Sequence, residues 1–190
     1  MSAPHSLDVV RNGVAPRSAP ESISWVPSCH YETLEVNVSI LNHSHVANRY
    51  WKDMTGELQE VLMRSGIHEG HLIVQSLHTT AGFVLNEAEE GLIAHDFPSA
   101  LQRLCPEDSY AHDAEERLRA LPAGEPQNGI SHLQCMIGAH PSLALIVHQG
   151  QLCLGKWQQI VFFDFDPEYH HDRTFTVQVW GLRESLTSQE

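Results

Sequence analysis

Basic residues are scarce in this chain. Its 190 residues include 11 lysines and arginines against 24 aspartates and glutamates, which gives a formal net charge of −13. Proteins that bind nucleic acid use clustered lysine and arginine to contact phosphates, so nucleic acid is excluded as the expected main partner. The same charge would repel a phosphorylated substrate unless a metal ion or local hydrogen-bond donors offset it.

Cysteine and long apolar runs are scarce as well. The four cysteines, none of them in a CxxC pair, are Cys29, Cys105, Cys135 and Cys153. Their spacing favours a reduced, cytoplasmic protein over a disulfide scaffold or a thiolate zinc site. No run approaches the roughly 18 apolar residues that span a membrane, so no membrane partner is expected. The N-terminus lacks the pattern of a secretory signal, and a transit peptide for an organelle is a weaker alternative.

Motifs of fixed spacing are missing too, since the chain has neither HExxH nor a glycine-rich phosphate loop. Histidine is what the chain has in excess, with 14 residues. Imidazole is the commonest metal ligand, and a neighbouring carboxylate or hydroxyl fixes its tautomer. Four histidines between residues 78 and 132 have such neighbours, in His78-Thr79-Thr80, His95-Asp96, His112-Asp113 and Ser131-His132. The pattern predicts a polar site, with metal binding as one of its uses.

The length of the chain suits one domain. Residues 1–28 are rich in proline and serine, and they are predicted to be a flexible N-terminal extension to a single domain at 29–190. Strands outnumber helices and follow one another closely, which predicts an α+β fold with a mainly antiparallel sheet. Apolar patterning predicts strands at 33–40, 71–76, 83–85, 143–148, 152–154, 160–165 and 175–180, and helices at 50–64 and 87–104.

The strand predicted at residues 160–165 (IVFFDF) is apolar at nearly every position. A strand of this kind is buried on both faces, and another subunit is one candidate for the second cover.

The polar clusters between residues 78 and 96 can also be explained by structural roles. His78, with the two threonines after it, follows a buried strand and can bind a metal or an anion, or it can form a turn. Asn86 before Glu87 is explained more simply as a helix N-cap. The pair His95-Asp96 on the same predicted helix is an exposed pair, unless Glu87 joins it to orient a base or complete a ligand set.

The remaining clusters also have two interpretations. His112 lies in the long polar segment 106–130; connections of this length are functional or disordered, and lone loop histidines are usually only solvated. Ser131 before His132 can be a helix cap. In Lys156-Trp157-Gln158 the tryptophan either packs against a ligand ring or an interface, with the glutamine as hydrogen-bond partner, or covers the core.

Four blocks occur in the order HTTAGFVLNEAEEGLIAHD, PEDSYAHD, SHLQCMIG and GQLCLGKWQQIVFFDFD. Together they resemble the YjbQ-like family, often labelled secondary thiamine-phosphate synthase enzymes, over about residues 33–181. The resemblance implies a compact α+β domain that assembles as a homotrimer. It also implies a weak condensation of a pyrimidine diphosphate with a thiazole phosphate, giving thiamine phosphate and diphosphate.

The resemblance implies that His78, His112 and His132 are the motif histidines, a candidate cluster for zinc, magnesium or a similar divalent metal. Other residues match motif positions in the same cleft. The chain departs from the family at Gln134, where a basic residue is usual, and in a longer loop between Asp113 and Ser131.

The leading hypothesis is a metal-dependent enzyme that acts on a phosphorylated small molecule. Its candidate catalytic residues are Glu87, His95 and Asp96. Its candidate substrate-binding residues are Thr79, Thr80, Asn86, Asp113, Lys156, Trp157 and Gln158. The alternatives are a non-catalytic trimer that binds a metal or a metabolite, and a hydrolase of phosphoesters.

Overall fold

The computed structural model describes residues 24–37, 41–44, 49–121, 124, 126–168 and 172–185. Within these residues the strands are β1 (Trp25–Asn37), β2 (Asn42–Ser44), β3 (Arg49–Asp53), β4 (Ile67–Ser76), β5 (Ala81–Asn86), β6 (Ser142–His148), β7 (Gln151–Leu152), β8 (Gln159–Asp164) and β9 (Asp172–Glu184). The α-helices are α1 (Thr55–Ser65), α2 (Phe97–Leu104), α3 (Glu115–Arg119) and α4 (Gly129–Gly138). A π-helical turn (Leu92–Asp96) precedes α2, and a 3-10 turn (Ala111–Asp113) precedes α3.

The strands form two antiparallel sheets. One sheet has the order β1-β9-β4-β6-β7, and the other has the order β2-β3-β8-β5. Every pairing between these strands is antiparallel. The structure therefore confirms an α+β fold dominated by antiparallel sheets.

The main core lies between the two sheets. Alternate residues of β4 and β9, such as Leu72 and Val179, are fully buried and face the second sheet. From that second sheet Phe83 and Phe162 point inward, and their ring centroids are 5.5 Å apart. Each fully buried side chain of this size contributes about 1.5–3 kcal/mol to the free energy of unfolding. Apolar residues of α1 close one end of this core.

The outer face of β8 is covered by helices of the same chain. Phe163 and Phe165 pack there against Leu101 of α2 and Cys135 of α4. A Cβ atom on Gly138 would lie within 2.8–3.1 Å of side-chain atoms of α2, so only glycine allows this close approach. Burial of β8 on both faces is confirmed, and the second cover is helical.

The N-terminal boundary differs from the prediction. Strand β1 begins at Trp25 and pairs with β9 from its first residue, so residues 25–28 belong to the sheet. The strand is at a sheet edge, where Pro27 can lack an N–H without breaking a ladder. Residues 1–23, and the last three of the strand predicted at 33–40, lie outside the described residues.

Both predicted helices begin later than the pattern indicates. Residues 49–53 form β3, because Trp51 pairs with Phe163 across the sheet. Asn86 is the last residue of β5 and not a helix cap; its Oδ1 accepts from the N–H of Glu87. The carboxylate of Glu89 caps the next helical segment instead, and the N–H groups of Gly91 and Leu92 donate to it and lower its pKa.

None of the described helices combines the length and the apolar character that crossing a membrane requires.

Candidate functional site

Two of the predicted histidines meet between the 3-10 turn and α4. The ring centroids of His112 and His132 are 4.7 Å apart. Nδ1 of His112 lies 2.9 Å from Oδ1 of Asp113, and the same carboxylate oxygen accepts from the N–H of Gly129 at 3.0 Å. Asp113 therefore orients the imidazole and also ties the turn to the beginning of α4. A Cβ on Gly129 would lie 3.0–3.1 Å from Asp113, His112 and Tyr110, so this position favours glycine.

Opposing effects act on the ring of His132. Burial lowers the pKa of His132 below its usual value, and the positive charge of His112 lowers it further. The backbone of Thr79, in the loop that follows β4, favours the protonated ring and raises its pKa. The net shift of the pKa is downward, so at neutral pH His132 is a neutral imidazole.

This arrangement fits two ligands of a metal site. Ligating histidines almost always donate their second N–H to a carboxylate or a backbone carbonyl, which fixes the tautomer. His112 has the carboxylate of Asp113 as this partner, and the backbone of Thr79 interacts with His132. Cys135 is close by, but burial raises its pKa to about 11, so it is a neutral thiol and not a thiolate ligand.

The third predicted ligand, His78, faces a different partner. Its Nε2 accepts from the N–H of Thr174 at 2.8 Å, and its Nδ1 lies 3.5 Å from Nη1 of Arg173. Among the described residues, no three histidine, cysteine, aspartate or glutamate side chains lie close enough together to hold a metal ion. The chain therefore brings together two of the three predicted ligands, in a geometry short of the three protein ligands of a typical catalytic zinc.

His78 and His132 nevertheless line one cavity of about 480 Å³. Its other walls are mainly apolar and come from the start of β5 and from α4 and the residues after it. Thr79 is exposed at this cavity, whereas Thr80 is buried. Thr79 is therefore available to a ligand, and the hydroxyl of Thr80 is not presented to solvent.

A second cavity of about 430 Å³ lies along α4 and is lined mostly by polar residues. Arg49 is buried there, and its Nε donates to Oε1 of Gln134 at 2.7 Å. Asn128 donates to the buried carboxylate of Asp166 at 2.6 Å. Sequence reasoning missed Arg49, Asn128 and Asp166, because no local pattern relates residues so far apart. Arg49 thus places a positive charge beside Gln134, where the resemblance implies that family members usually have a basic residue.

Asn86, Glu87 and residues 156–158 lie at the opposite end of β5. This strand begins at Ala81, beside the histidines, and ends at Asn86, which is about 17 Å away at 3.3–3.4 Å per residue. Asn86 pairs with Gln159, directly after the segment 156–158, and Glu87 follows. The predicted residues therefore form two groups within the chain. The histidine group is His78, His112 and His132, and the Trp157 group is Asn86, Glu87 and residues 156–158.

Within the Trp157 group, the side chains already contact one another. Nζ of Lys156 lies 4.7 Å from the centroid of the Trp157 ring, and that ring is 62% exposed. Oε1 of Gln158 accepts from the N–H of Gly155 at 2.7 Å, so it stabilises its own loop. His95 and Asp96 are exposed in the π-helical turn.

Comparison with known proteins gives one family. Residues 41–182 match the family model described as UPF0047 protein YjbQ-like. The chain belongs to the YjbQ-like family. A UPF0047 protein of Methanothermobacter thermautotrophicus is 34% identical over 131 residues, which cover 68% of this chain and 81% of the relative. UPF0047 protein YugU of Bacillus subtilis is 30% identical over 130 residues, or 68% of this chain and 88% of the relative.

Solved structures of the same kind share the fold. A YbjQ-like protein of unknown function from Sulfolobus solfataricus superimposes with a TM-score of 0.66 at 22% identity, over 82% of this chain and 99% of that one. The hypothetical protein APE1520 from Aeropyrum pernix gives a TM-score of 0.62 at 27% identity, over 80% of this chain and 98% of that one. YjbQ-like membership and fold are therefore established.

Proposed function

We propose that the chain is an enzyme that acts on a phosphorylated small molecule at His112 and His132, with a divalent metal as cofactor. The observation that carries this proposal is the meeting of the two imidazoles, with ring centroids 4.7 Å apart and Nδ1 of His112 held by Asp113. The other nitrogen of the His112 ring is the one that a metal would use.

The metal ligands in this proposal are His112, His132 and, after a ring rotation, His78. The rotation would give up the hydrogen bond from the N–H of Thr174, so its free-energy cost has to be offset by metal coordination. Zinc, magnesium or a similar ion would act as a Lewis acid that neutralises charge on the phosphate oxygens. Imidazole ligands favour zinc over magnesium in this group.

The residues around the histidines have separate tasks in the proposal. Asp113 keeps the imidazole of His112 in one tautomer and one orientation. Thr79 would donate its hydroxyl to a phosphate oxygen, since it lines the cavity and is exposed there. The apolar walls of that cavity would exclude water from the part of the substrate that carries no charge.

We also propose that the protein assembles as a homotrimer. The outer face of the five-stranded sheet is not covered by any described element, and its exposed apolar side chains include Tyr31, Ile73, Ile146, Trp180 and Leu182. Trp180 pairs with His71, and His71 pairs with Ile146, so the exposed residues share one face across three strands. A contiguous apolar face of this kind marks an interface in soluble proteins.

Assembly would also give the Trp157 group a role. Glu87 and Trp157 lie away from the histidines of their own chain, so in this proposal they reach a histidine pair from a neighbouring subunit, and we assign His95 and Asp96 to the same task. The alternative that this surface supports is a non-catalytic trimer, in which a metal or metabolite only fixes the contacts between subunits.

The first reaction to test is the condensation that the family resemblance implies. In it the bond between the pyrimidine methylene carbon and the diphosphate oxygen breaks, a bond to the thiazole nitrogen forms, and diphosphate leaves. Hydrolysis of a phosphoester at the same site would release phosphate instead.

The test is an assay of phosphate and diphosphate release over a panel of phosphorylated metabolites that includes these two substrates. We expect turnover with at least one compound, loss of turnover with chelator, and loss in His112→Ala. A matched variant, His148→Ala, changes an exposed histidine at the end of β6 whose Nδ1 lies 2.9 Å from Oε2 of Glu69 on β4, and it should keep full activity. Turnover that survives both chelator and His112→Ala would refute the proposal, and a trimer that dissociates with chelator and has no turnover would favour the non-catalytic alternative.

A further inference from the structure

A phosphorylated ligand at the histidine pair requires a nearby positive charge. The chain carries a net charge of −13, and the carboxylates of Asp113 and Asp166 both lie close to the pair. A metal ion offsets part of this field, but phosphate recognition in proteins normally adds an arginine or lysine that bonds directly to the anion.

Two of the buried arginines are engaged elsewhere. Arg173 is fully buried, and its guanidinium forms two bonds to the carboxylate of Asp164, at 2.8 and 2.5 Å. Its charge is therefore neutralised by that carboxylate. Arg49 lines the second cavity on α4, where its guanidinium donates to Gln134.

Arg117 is placed differently. It lies on α3, in the segment between the 3-10 turn and α4, and it is half-buried. Its Nη1 donates to the backbone carbonyl of His112 at 2.7 Å, so the guanidinium is anchored on the turn that carries this histidine. The bond is to a neutral carbonyl, which leaves the positive charge of Arg117 in place.

Arg117 also lies near the second histidine. It bonds to the backbone of His112, whose ring centroid is 4.7 Å from that of His132. Arg117, His112 and His132 therefore converge on one region. A guanidinium has five N–H donors, and the bond to the carbonyl of His112 uses one of them.

We propose that Arg117 is the anion-binding residue of this site and bonds to the phosphate group of the ligand beside His112 and His132. The inference rests on the proposed function, because it assumes that the ligand is phosphorylated. It assigns the recognition of the phosphate to a residue of α3. Arg117 has a second, purely structural task, since it also clamps the 3-10 turn, and the experiment has to separate the two.

Calorimetric titration with inorganic phosphate and with diphosphate tests the proposal on the full chain as purified. Arg117→Gln should weaken the binding of at least one of these anions by at least about tenfold, because a charge-assisted hydrogen bond is lost. Arg117→Lys, which keeps the charge but loses the planar fork, should lie between the wild type and the glutamine variant. Arg119→Gln is the matched control: this residue is on the same helix, its side chain is 74% exposed, and it pairs with Glu115. It should bind both anions like the wild type.

Metal content and thermal stability are measured in the same samples. The proposal requires that Arg117→Gln keeps both and loses only anion binding. Anion binding that falls only in step with lost metal or lost stability would show a structural clamp and overturn the inference. Equal weakening in Arg119→Gln would overturn it too, since it would reduce the effect to overall charge. Unchanged binding in Arg117→Gln would refute the role of Arg117 and leave the proposed function intact, whereas a wild type that binds neither anion would refute both.

Discussion

Arg173 and Asp164 form an ion pair in which neither side chain is more than 1% exposed. The guanidinium also donates to the backbone carbonyl of Asp166 at 2.9 Å, and it lies beside His78. Buried charges of this kind are costly to desolvate, so their pairing has to be nearly complete. The pair joins β8 to the start of β9 and holds the backbone from which Thr174 donates to His78.

Removing one partner of this pair should therefore strongly lower the free energy of unfolding of the domain. We expect Arg173→Met to lower the free energy of unfolding by about 3–5 kcal/mol, because the carboxylate of Asp164 stays buried without its cation. Arg183→Met, on the exposed end of the same strand, should change it by less than about 0.5 kcal/mol. Urea unfolding followed by circular dichroism measures both, and equal losses in the two variants would contradict this account of the pair.

Single residues were predictable where the chemistry is local. The adjacent residues His112 and Asp113 were predicted as an imidazole with its carboxylate partner, and the structure shows that contact. The approach of His132 to His112 depends on α4 packing against the 3-10 turn, 20 residues along the chain, and only the family resemblance indicated it. No sequence pattern predicted a role for Arg117 or Arg49, because a single arginine in a polar segment is almost always solvated.

One glycine lies in α1 and another follows it, and the two have opposite requirements. Gly66 follows the helix with a φ of 66°, as its position after the apolar pattern predicts, and its N–H donates to the carbonyl of Met63. Gly56 is in the first turn and has no positive φ. At neither position would a Cβ atom meet another atom within 4 Å, so only backbone conformation distinguishes them.

The two alanine variants should consequently have effects of opposite sign. Gly66→Ala should lower the free energy of unfolding by about 1 kcal/mol, because alanine is strained in the left-handed region. Gly56→Ala should raise it by up to about 1 kcal/mol, because alanine favours the helix. Chemical denaturation of both variants tests the assignment of the helix end, and stabilisation by Gly66→Ala would show that α1 does not end there.

The elements themselves were predictable to different extents. The apolar run at 160–165 indicated a doubly buried strand, and β8 is that strand. The start of β1 at Trp25 was missed because an edge strand is held by backbone hydrogen bonds, which Pro27 and Ser28 do not signal. The helix predicted from residue 87 begins later, since Glu89 supplies the cap through its side chain.

The described residues form a sandwich of two sheets, with α2 and α4 against the outer face of the four-stranded sheet. The helices bury the outer face of β8, while the outer face of the five-stranded sheet keeps Ile146 and Trp180 at 62% and 58% exposure. No pattern in the sequence indicated which sheet would be left uncovered. That choice depends on how the connections pack, and the uncovered five-stranded sheet is the face that we propose for assembly.

Charge on this sheet face should therefore disrupt assembly. Ile146→Asp combined with Trp180→Asp should convert the proposed trimer into monomers, because burying two carboxylates in an apolar interface is costly. Leu104→Asp is the control, since this leucine is equally exposed but lies at the end of α2. Analytical ultracentrifugation gives the mass of each species. A trimer that persists in the double variant would move the interface elsewhere.

The central claim is that His112 and His132 hold a divalent metal, and elemental analysis of purified protein tests it most directly. The wild type should contain about one metal ion per chain, as a single histidine-lined site requires. His112→Ala and His132→Ala should each lose it, and His148→Ala should keep it. Stoichiometric metal in both His112→Ala and His132→Ala would contradict the claim, and so would a wild type that takes up no divalent metal at all.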